Sequence, residues 1–474
     1  MRTFALTKEC SPSSTACDDK AMKEKLSAPF AKKLLALVLP IAFQQFMSAL
    51  VSASDALMLG TLSQDALSAV SLASQVAFVE NLSLAAMTIG LSMFASQYWG
   101  KRDITSVENV FAYVLKVTLL VSALFSLAGL CVPNVLMHLF TNVPVLISLG
   151  AVYLRVVSAA FFLTGVSQIY LCTLKNSGKA SKSSLISSAC VVINIVLNAI
   201  LIFGLLGCPK LGVAGAAVAT VIARLVEVLW CIWETQKKSQ VKLHPKKVIT
   251  CDNAIRSDFW KYTAPVLGNE IVWGIGFTMY SVIMGHLGSD AVAANAIANI
   301  VKNLVACFCL GLGSGSGIMV GNELGAGRLA IAKEYGRKLC KLSIVCGAIS
   351  GGILLMLIPS ILMITDLSIQ AGVYLKWMLV MCSYYLIGKS VNSTTIAGIF
   401  CAGGDSKFGF LCDTITMWCI TVPLGLITAF LFRLPVLMVY FLINLDEIIK
   451  LPAVYLHYKK YKWVKNLTIK ENET

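Results

Sequence analysis

The sequence predicts an all-α polytopic membrane protein in which twelve transmembrane helices form two pseudo-symmetric six-helix bundles around a central cavity. The composition, the length of the apolar runs and an internal repeat support this fold class. Of the 474 residues, 57% are hydrophobic and only 13% are charged, a balance too apolar for an ordinary water-soluble globule. We therefore expect the chain to lie mostly within a bilayer.

The apolar runs have the length of helices that cross a bilayer. They recur between residues 33 and 456 with short polar breaks, and about 20 helical residues are enough to cross the hydrocarbon core. The runs lack the strict alternation that marks the strands of a membrane β-barrel. We predict helices at residues 31–59, 66–99, 107–133, 144–173, 183–206, 212–236, 257–286, 290–323, 331–361, 368–399, 407–432 and 435–458.

Lysine and arginine cluster before the first predicted helix and after every second one. The intervening loops hold almost none, only Lys210 and Arg433, although the whole chain carries a net charge of +15. Under the positive-inside rule, this pattern predicts a multi-pass protein of the cell membrane with both termini in the cytoplasm. The basic surplus then faces membrane lipids, and we expect no nucleic-acid partner.

The two halves of the chain resemble each other at an offset of 225 residues. The offset aligns "MLGTLSQDALSAVSLASQV" (58–76) with "IMGHLGSDAVAANAIANIV" (283–301), and it pairs Pro40 with Pro265. Two tandem halves of six helices share one topology, which is the parallel-repeat arrangement of many secondary transporters. We predict a cytoplasmic N-terminal tail, an N-terminal lobe, a cytoplasmic linker, a C-terminal lobe and a basic tail at residues 1–30, 31–236, 237–256, 257–458 and 459–474.

Several motifs resemble those of the multidrug and toxic compound extrusion family. They are "PIAFQQFMSALVSASDALMLGTLSQD" (40–65), "GLSMFASQYWGKRD" (90–103), "NIVLNAILIFG" (194–204), "LGVAGAAVAT" (211–220), "GSDAVAANAI" and "VGNELGAGR". The resemblance covers nearly the whole chain after about residue 30. It implies the export of organic cations or drugs in exchange for protons or sodium. We expect no cofactor beyond that ion gradient, no metal site, and a monomer.

Asp55 is the first candidate for ion coupling, because ionisable residues within membrane helices are functional by default. It lies about 22 Å beyond Pro40 along the helix, in the outer half of the span. Pro40 leaves a backbone carbonyl without its helical partner, so it is a candidate hinge at which protonation of Asp55 would reshape the helix. The alternative is an acid at the outer interface that simply faces water.

The resemblance also supplies partners for Asp55. In the DinF-like branch, whose first helix this spacing resembles, such an acid is a protonation site, and the fifth helix carries an Asn and an Asp one turn apart. This sequence has Asn194, but Asn198 stands where the Asp is expected. Proton binding in this lobe would then rest on Asp55, with Asn194, Asn198 or Thr220 as hydrogen-bond partners. The tenth-helix Asp of the NorM-like branch is absent, which disfavours a sodium site of that type.

Glu270 is the second candidate. It follows Pro265, the candidate hinge of the seventh helix, and its repeat partner is Gln45. We predict that Glu270 attracts cations into the central cavity and pairs with Lys302. A buried structural ion pair is the alternative. Glu80 in the second helix is a further acid, although no motif supports it.

The remaining charged and glycine-rich segments are better explained by structure. Asp65 and Asp290 begin helices and are predicted to be N-caps. The segment "GLGSGSGIMVGNELGAG" (311–327) lacks the preceding strand of a phosphate loop, so its glycines are predicted to let helices approach closely. Helix pairs or locks on the cytoplasmic side are predicted for a further charged set: Arg224, Glu227, Asp446, Glu447 and Lys450.

These observations favour a secondary active multidrug efflux transporter that works by alternating access and proton antiport, with sodium as the other candidate ion. An intramembrane enzyme is disfavoured, since the four histidines are scattered and no H-E-x-x-H motif occurs. The main alternative is a flippase for lipid-linked or polysaccharide precursors from the same superfamily. Such proteins usually have more spans and a basic cavity, so the acids Asp55 and Glu270 favour organic cations.

Overall fold

The computed structural model describes residues 13–236, 241–242, 253–365 and 367–469, with side chains from residue 30 onward except those of 253–254. Most of the predicted linker at 237–256 and the end of the predicted basic tail lie outside the described residues. Helices account for almost all of the described chain, and no strand occurs within it. The predicted all-α fold class is confirmed.

The first half of the chain forms a bundle of long helices joined by short turns. Helices α1, α2 and α3 cover Ser13–Leu62, Gln64–Lys101 and Ile104–Cys131. A short helix at Pro133–His138 precedes the fourth span. Helices α4, α5 and α6 cover Pro144–Asn176, Ala180–Phe203 and Val213–Gln236, with a 3₁₀ turn at Leu205–Gly207 before α6.

The second half forms a similar bundle. Helices α7, α8 and α9 cover Asn253–Gly285, Ser289–Gly325 and Leu329–Ile364. Helices α10 and α11 cover Ile369–Phe400 and Ser406–Leu431. Within the described part of the chain, 11 helices are long and apolar enough to cross a membrane.

The twelfth predicted span is broken into two helices. These are α12 (Val436–Ile443) and α13 (Asp446–Lys459), and Asn444 and Leu445 separate them. Asp446 and Glu447 lie in the first turn of α13, where the helix dipole favours acidic side chains. Both acids are almost completely buried. The break therefore places charged groups inside the second bundle.

Helices α10 and α11 change their winding in their interiors. Helix α10 becomes a π-helix at Ser393–Phe400, and α11 does so at Ile415–Thr421 and again at Ile427–Leu431. Single π turns inside α-helices often accompany functional sites. Asn392 lies immediately before the first of these segments and Asp413 lies two residues before the second, and both belong to the charged network described below.

The two bundles contact each other through their first two helices. Helix α1 packs on α8, and α2 packs on both α7 and α8. The repeat relates α1 to α7 and α2 to α8, so the contact between α1 and α8 is the counterpart of the contact between α7 and α2. This arrangement is the pseudo-symmetric pair of bundles that the repeat predicts.

Glycines let the bundles approach closely at the C-terminal ends of α2 and α8, which we call the closed end. Gly100 lies against the backbone of Asn322, and Gly325 lies against the backbone of Gln97. A side chain at either glycine would overlap the facing backbone oxygen. Other glycines of the 311–327 segment face α1 and α10. The predicted packing role of that segment is confirmed.

The C-terminal segment also packs at the closed end. Gln97 Nε2 donates hydrogen bonds to the backbone oxygens of Ala402 at 2.7 Å and Lys465 at 3.2 Å. The backbone amide of Leu467 donates to Gln97 Oε1 at 2.6 Å. Nearby, the Trp463 side chain is completely buried. One side chain of the first bundle thus holds both the second bundle and the segment that follows α13.

The predicted N-cap roles of Asp65 and Asp290 are wrong. Helix α2 is capped by Ser63, whose hydroxyl accepts a backbone amide at 3.0 Å, and Gly288 occupies the cap position of α8. Both helices begin earlier than predicted, so both acids fall in the first turn, where the helix dipole still favours them. Asp290 instead accepts a 2.6 Å hydrogen bond from Ser368.

Candidate functional site

A chain of hydrogen bonds links three helices of the first bundle around Asp55. Asn198 Nδ2 on α5 donates to Asp55 Oδ1 on α1 at 2.6 Å, and it also contacts Asn194 Oδ1 at 3.2 Å. Asn194 Nδ2 then donates to Thr220 Oγ1 on α6 at 3.3 Å. The two asparagines lie one turn apart on α5 and therefore share a face. The structure brings together all four residues of the predicted N-terminal cluster.

The cluster is largely shielded from solvent. Asn194 and Asn198 are buried, whereas Asp55 is partly exposed. Among the described residues, Asn198 Oδ1 has no hydrogen-bond partner although it is buried. A buried acceptor without a donor is costly, so this oxygen is poised to accept a hydrogen bond from a new donor. Asp55 is thus engaged with α5, and a simple water-facing acid does not describe it.

Glu80 lies in the same bundle but outside this chain of hydrogen bonds. It is 2% exposed, and its Oε1 atom has no hydrogen-bond partner within the described part of the chain. Arg224 of the same bundle pairs with Glu227 at 2.7 Å. That ion pair joins residues three apart on α6, so the helix pair predicted for Arg224 and Glu227 is confirmed.

A central cavity of about 510 Å³ lies between the two bundles. Residues of both bundles line it, including Gln45 on α1 and Glu270 on α7. The repeat pairs these two positions, and each follows a proline that lies inside its helix, Pro40 or Pro265. Two equivalent positions of the repeat therefore face the same cavity, one with a neutral amide and one with an acid.

The cavity wall of the second bundle carries a network of charges. Lys450 Nζ contacts Asp413 Oδ1 at 2.8 Å and Glu447 Oε2 at 3.2 Å, and Lys389 Nζ contacts Glu447 Oε1 at 3.3 Å. Asn392 Nδ2 donates to Glu447 Oε2 at 2.7 Å. We call these five residues the α13 network. Glu447 accepts from three side chains, so its charge is fully compensated despite its burial.

The α13 network extends one prediction and adds residues that the sequence analysis missed. Glu447 and Lys450 form the predicted helix pair, and both also line the central cavity. Lys389, Asn392 and Asp413 were not predicted. The signal was available, since each is a polar residue within a long apolar run.

The predicted ion pair between Glu270 and Lys302 is not formed. Among the residues that the structure describes, no lysine approaches Glu270 within ion-pair distance. Lys302 is buried on α8, and its Nζ lies over the rings of Tyr385 at 4.9 Å and Phe277 at 5.7 Å. Phe277 follows Glu270 by seven residues on the same face of α7, about 10 Å further along the helix, so Lys302 meets α7 too far from Glu270 to pair with it.

A comparison with known families decides what kind of protein this is. The family model described as MatE matches the chain twice, at residues 40–200 and at residues 265–427. The two matches begin 225 residues apart, which is the offset of the internal repeat, and together they cover more than half of the chain. The chain belongs to the MatE family. The predicted family is thereby confirmed, and this MatE protein is a membrane transporter and not an enzyme.

Individual relatives support the same assignment. The MatE chain is 24% identical over 410 residues to the uncharacterized transporter YisQ of Bacillus subtilis (strain 168), covering 85% of this chain and 88% of that protein. It is 26% identical over 409 residues to the multidrug resistance protein NorM of Burkholderia vietnamiensis, covering 83% and 86%.

Solved structures share the fold of this MatE protein. One is the outward-facing conformation of a multidrug resistance MATE family transporter, with a TM-score of 0.83 and 18% identity, covering 91% of this chain and 95% of that chain. Another is a transporter of the MOP superfamily from Pyrococcus furiosus, with a TM-score of 0.83 and 19% identity over the same shares. At these identities the likeness shows the fold alone.

Proposed function

We propose that this protein exports organic cations or cationic drugs in exchange for protons, by alternating access of its two bundles. The observation that carries the proposal is the separation of two sites. Asp55 sits in a hydrogen-bonded cluster inside the first bundle, and Glu270 sits on the wall of the central cavity. One acid is then available for the ion and another for the substrate.

The cluster around Asp55 suggests how one acid serves as a switch. An ionised Asp55 accepts the hydrogen bond from Asn198. Protonation turns the carboxylate into a donor, and rotation of the Asn198 amide then presents Oδ1, which is otherwise without a partner among the described residues. The hydrogen bond between Asp55 on α1 and Asn198 on α5 would thus reverse its donor and acceptor, and no second acid is needed.

Helix α1 can pass this change to the cavity. It carries Asp55 towards one end and Gln45, a cavity residue, nearer Pro40. A proline inside a helix removes one backbone hydrogen bond and lowers the cost of bending there. We propose that Pro40 and Pro265 are the hinges of their bundles, and that the closed end of the molecule faces the cytoplasm, as the distribution of basic residues predicts.

The charges of the cavity favour an organic cation over a pyrophosphate-linked lipid. Its lining holds three lysines and three carboxylates: Lys175, Lys389, Lys450, Glu270, Asp413 and Glu447. Lys450 and Lys389 are already paired with carboxylates, so few cations are left for an anionic headgroup. A flippase for lipid-linked precursors remains the second candidate, and the experiment below separates the two.

The test is transport of ethidium by the purified chain in proteoliposomes under an imposed pH gradient without sodium. We compare wild type with Asp55→Asn and with Asp65→Asn, a control that removes an exposed acid from the first turn of α2. We expect transport by wild type and by Asp65→Asn, and none by Asp55→Asn. Transport that requires a sodium gradient would reject proton coupling. The absence of cation transport under either gradient would favour the flippase.

A further inference from the structure

Glu270 and Trp273 form one side of the central cavity. They lie three residues apart on α7 and therefore project from the same face. A carboxylate beside the face of a tryptophan ring is a favourable environment for an organic ammonium group, because both attract a cation that has left water. This part of the cavity has the chemistry of a cation site.

A cation of the protein itself already occupies that position. Lys389 on α10 places its Nζ atom 5.1 Å from the centroid of the Trp273 ring. The same atom lies 3.3 Å from Glu447 Oε1, and Lys389 lines the same cavity as Glu270. The ammonium group of Lys389 therefore makes the ring contact that a substrate cation would seek, on the cavity wall that also carries Glu270.

Of the two lysines in the α13 network, Lys389 is held less firmly than Lys450. Its side chain is 21% exposed and has one ion pair, whereas the Lys450 side chain is 4% exposed and has two. If Lys389 moves away, Glu447 keeps Lys450 and the hydrogen bond from Asn392. The departure of Lys389 would leave no buried carboxylate without a partner in this network.

We propose that Lys389 is a tethered cation that occupies the ammonium site of the empty cavity and is displaced when a substrate cation binds there. The inference rests on the proposed function and names Lys389 as the residue that limits the affinity of the cavity for a substrate cation. When Lys389 is in place, its ammonium group occupies the face of the Trp273 ring that a substrate cation would use. When a substrate arrives, its cation takes over these contacts, and the lysine returns after release.

Lysine suits this role better than arginine would. Its ammonium is a compact point charge on a flexible stem, whereas a guanidinium would stack on Trp273 and bind the Glu447 carboxylate in a fixed fork. Lys389→Arg should therefore hold the site more firmly and weaken substrate binding. Lys389→Met should keep most of the packing volume, remove the competitor and strengthen binding.

The experiment measures binding of tetraphenylphosphonium to the purified full chain by isothermal titration calorimetry, so that no ion gradient is involved. The variants are Lys389→Met, Lys389→Arg and Lys175→Met, which removes a cavity lysine from the first bundle. We expect Lys389→Met to bind about tenfold more tightly than wild type, which corresponds to about 1.4 kcal/mol. We expect Lys389→Arg to bind more weakly, and Lys175→Met to show less than about a third of the gain of Lys389→Met.

A second comparison tests whether the gain in affinity of Lys389→Met depends on the Trp273 ring. Trp273→Ala in the Lys389→Met background should remove most of the tenfold gain. Wild-type binding with no gain in Lys389→Met, or an equal gain in Lys175→Met, would overturn the tethered-cation proposal and leave the proposed function standing. The absence of binding by wild type and by Lys389→Met alike would reject both. Elution as a single species and an unchanged melting temperature confirm that each variant is folded.

Discussion

Gly100 and Gly325 occupy equivalent positions of the two repeats, and each lies against the backbone of the other bundle. Gly100 faces Asn322, and Gly325 faces Gln97, so the two contacts are copies of each other across the pseudo-symmetry axis. Contacts of this kind close one end of the molecule over the central cavity. Under the alternating access that we propose, these contacts must separate during the transport cycle.

Gly325→Val should shift the protein away from the state with a closed end. A valine would overlap the backbone oxygen of Gln97, which belongs to a helix and cannot move independently. The reporter is Ser96→Cys in a background without other cysteines, because Ser96 is a buried residue of the closed end. We expect a water-soluble maleimide to label this cysteine more extensively when Gly325→Val is present. Gly352→Val is the matched control, because Gly352 faces open space on α9. Equal labelling in both variants would contradict the role of this contact.

The ion pairs of Lys450 should make an unequal contribution to stability. Lys450→Met leaves the mostly buried carboxylate of Asp413 without its ion-pair partner, and an uncompensated buried charge costs about 3–5 kcal/mol. Asp413→Asn should cost less, since Lys450 keeps Glu447. The double variant should melt above Lys450→Met. Thermal unfolding in detergent checks this order, and a double variant that melts below both single variants would reject the explanation.

The contrast between the cluster around Asp55 and the α13 network shows what the sequence can predict. Asp55 stands out in the sequence as a lone acid within an apolar run, whereas Asn194, Asn198 and Thr220 were predicted as its partners through the resemblance to the family's motifs. Lys389 and Asp413 stand out equally, but their significance depends on a partner. That partner is α13, which begins after the break in the twelfth span and lines the cavity with Glu447 and Lys450.

The repeat is likewise visible in the sequence, whereas the pairing of charges is not. An offset between two halves is a property of the sequence and is recovered by alignment. How far α7 and α8 are shifted along each other is decided by the packing of several helices, and Lys302 meets α7 at Phe277, about two turns beyond Glu270. The same limit applies to the helix starts, where a shift of one or two residues moved Asp65 out of the cap position.

Glu270 and Lys302 should therefore act independently. Glu270→Gln removes a carboxylate from the cavity wall and should weaken binding of tetraphenylphosphonium by about tenfold or more. Lys302→Met removes a cation that is held over Tyr385 and should change binding by less than about twofold. In a double-mutant cycle, the coupling energy should lie within about 0.5 kcal/mol of zero. A coupling above about 1 kcal/mol would restore the predicted pair.

Asn198→Asp should change the number of protons that accompany each substrate. The wild-type cluster contains one acid, Asp55, and Asn198 can only donate to it or accept from it. A second carboxylate at this position would lie in hydrogen-bond contact with the first, and the two would then bind protons as a coupled pair. Under the proton coupling that we propose, we expect Asn198→Asp to exchange more protons for each substrate than the wild type does.

The measurement is the reversal potential of ethidium exchange in proteoliposomes at several imposed pH gradients. A larger proton stoichiometry makes this potential more sensitive to the gradient, so the slope should be steeper for Asn198→Asp than for wild type. Asn198→Leu is the control, because it has a similar volume and cannot form a hydrogen bond to Asp55. It should lose proton-driven transport while remaining folded. If Asn198→Leu transports as well as wild type, Asn198 has no part in the switch, and coupling through Asp55 must use another partner.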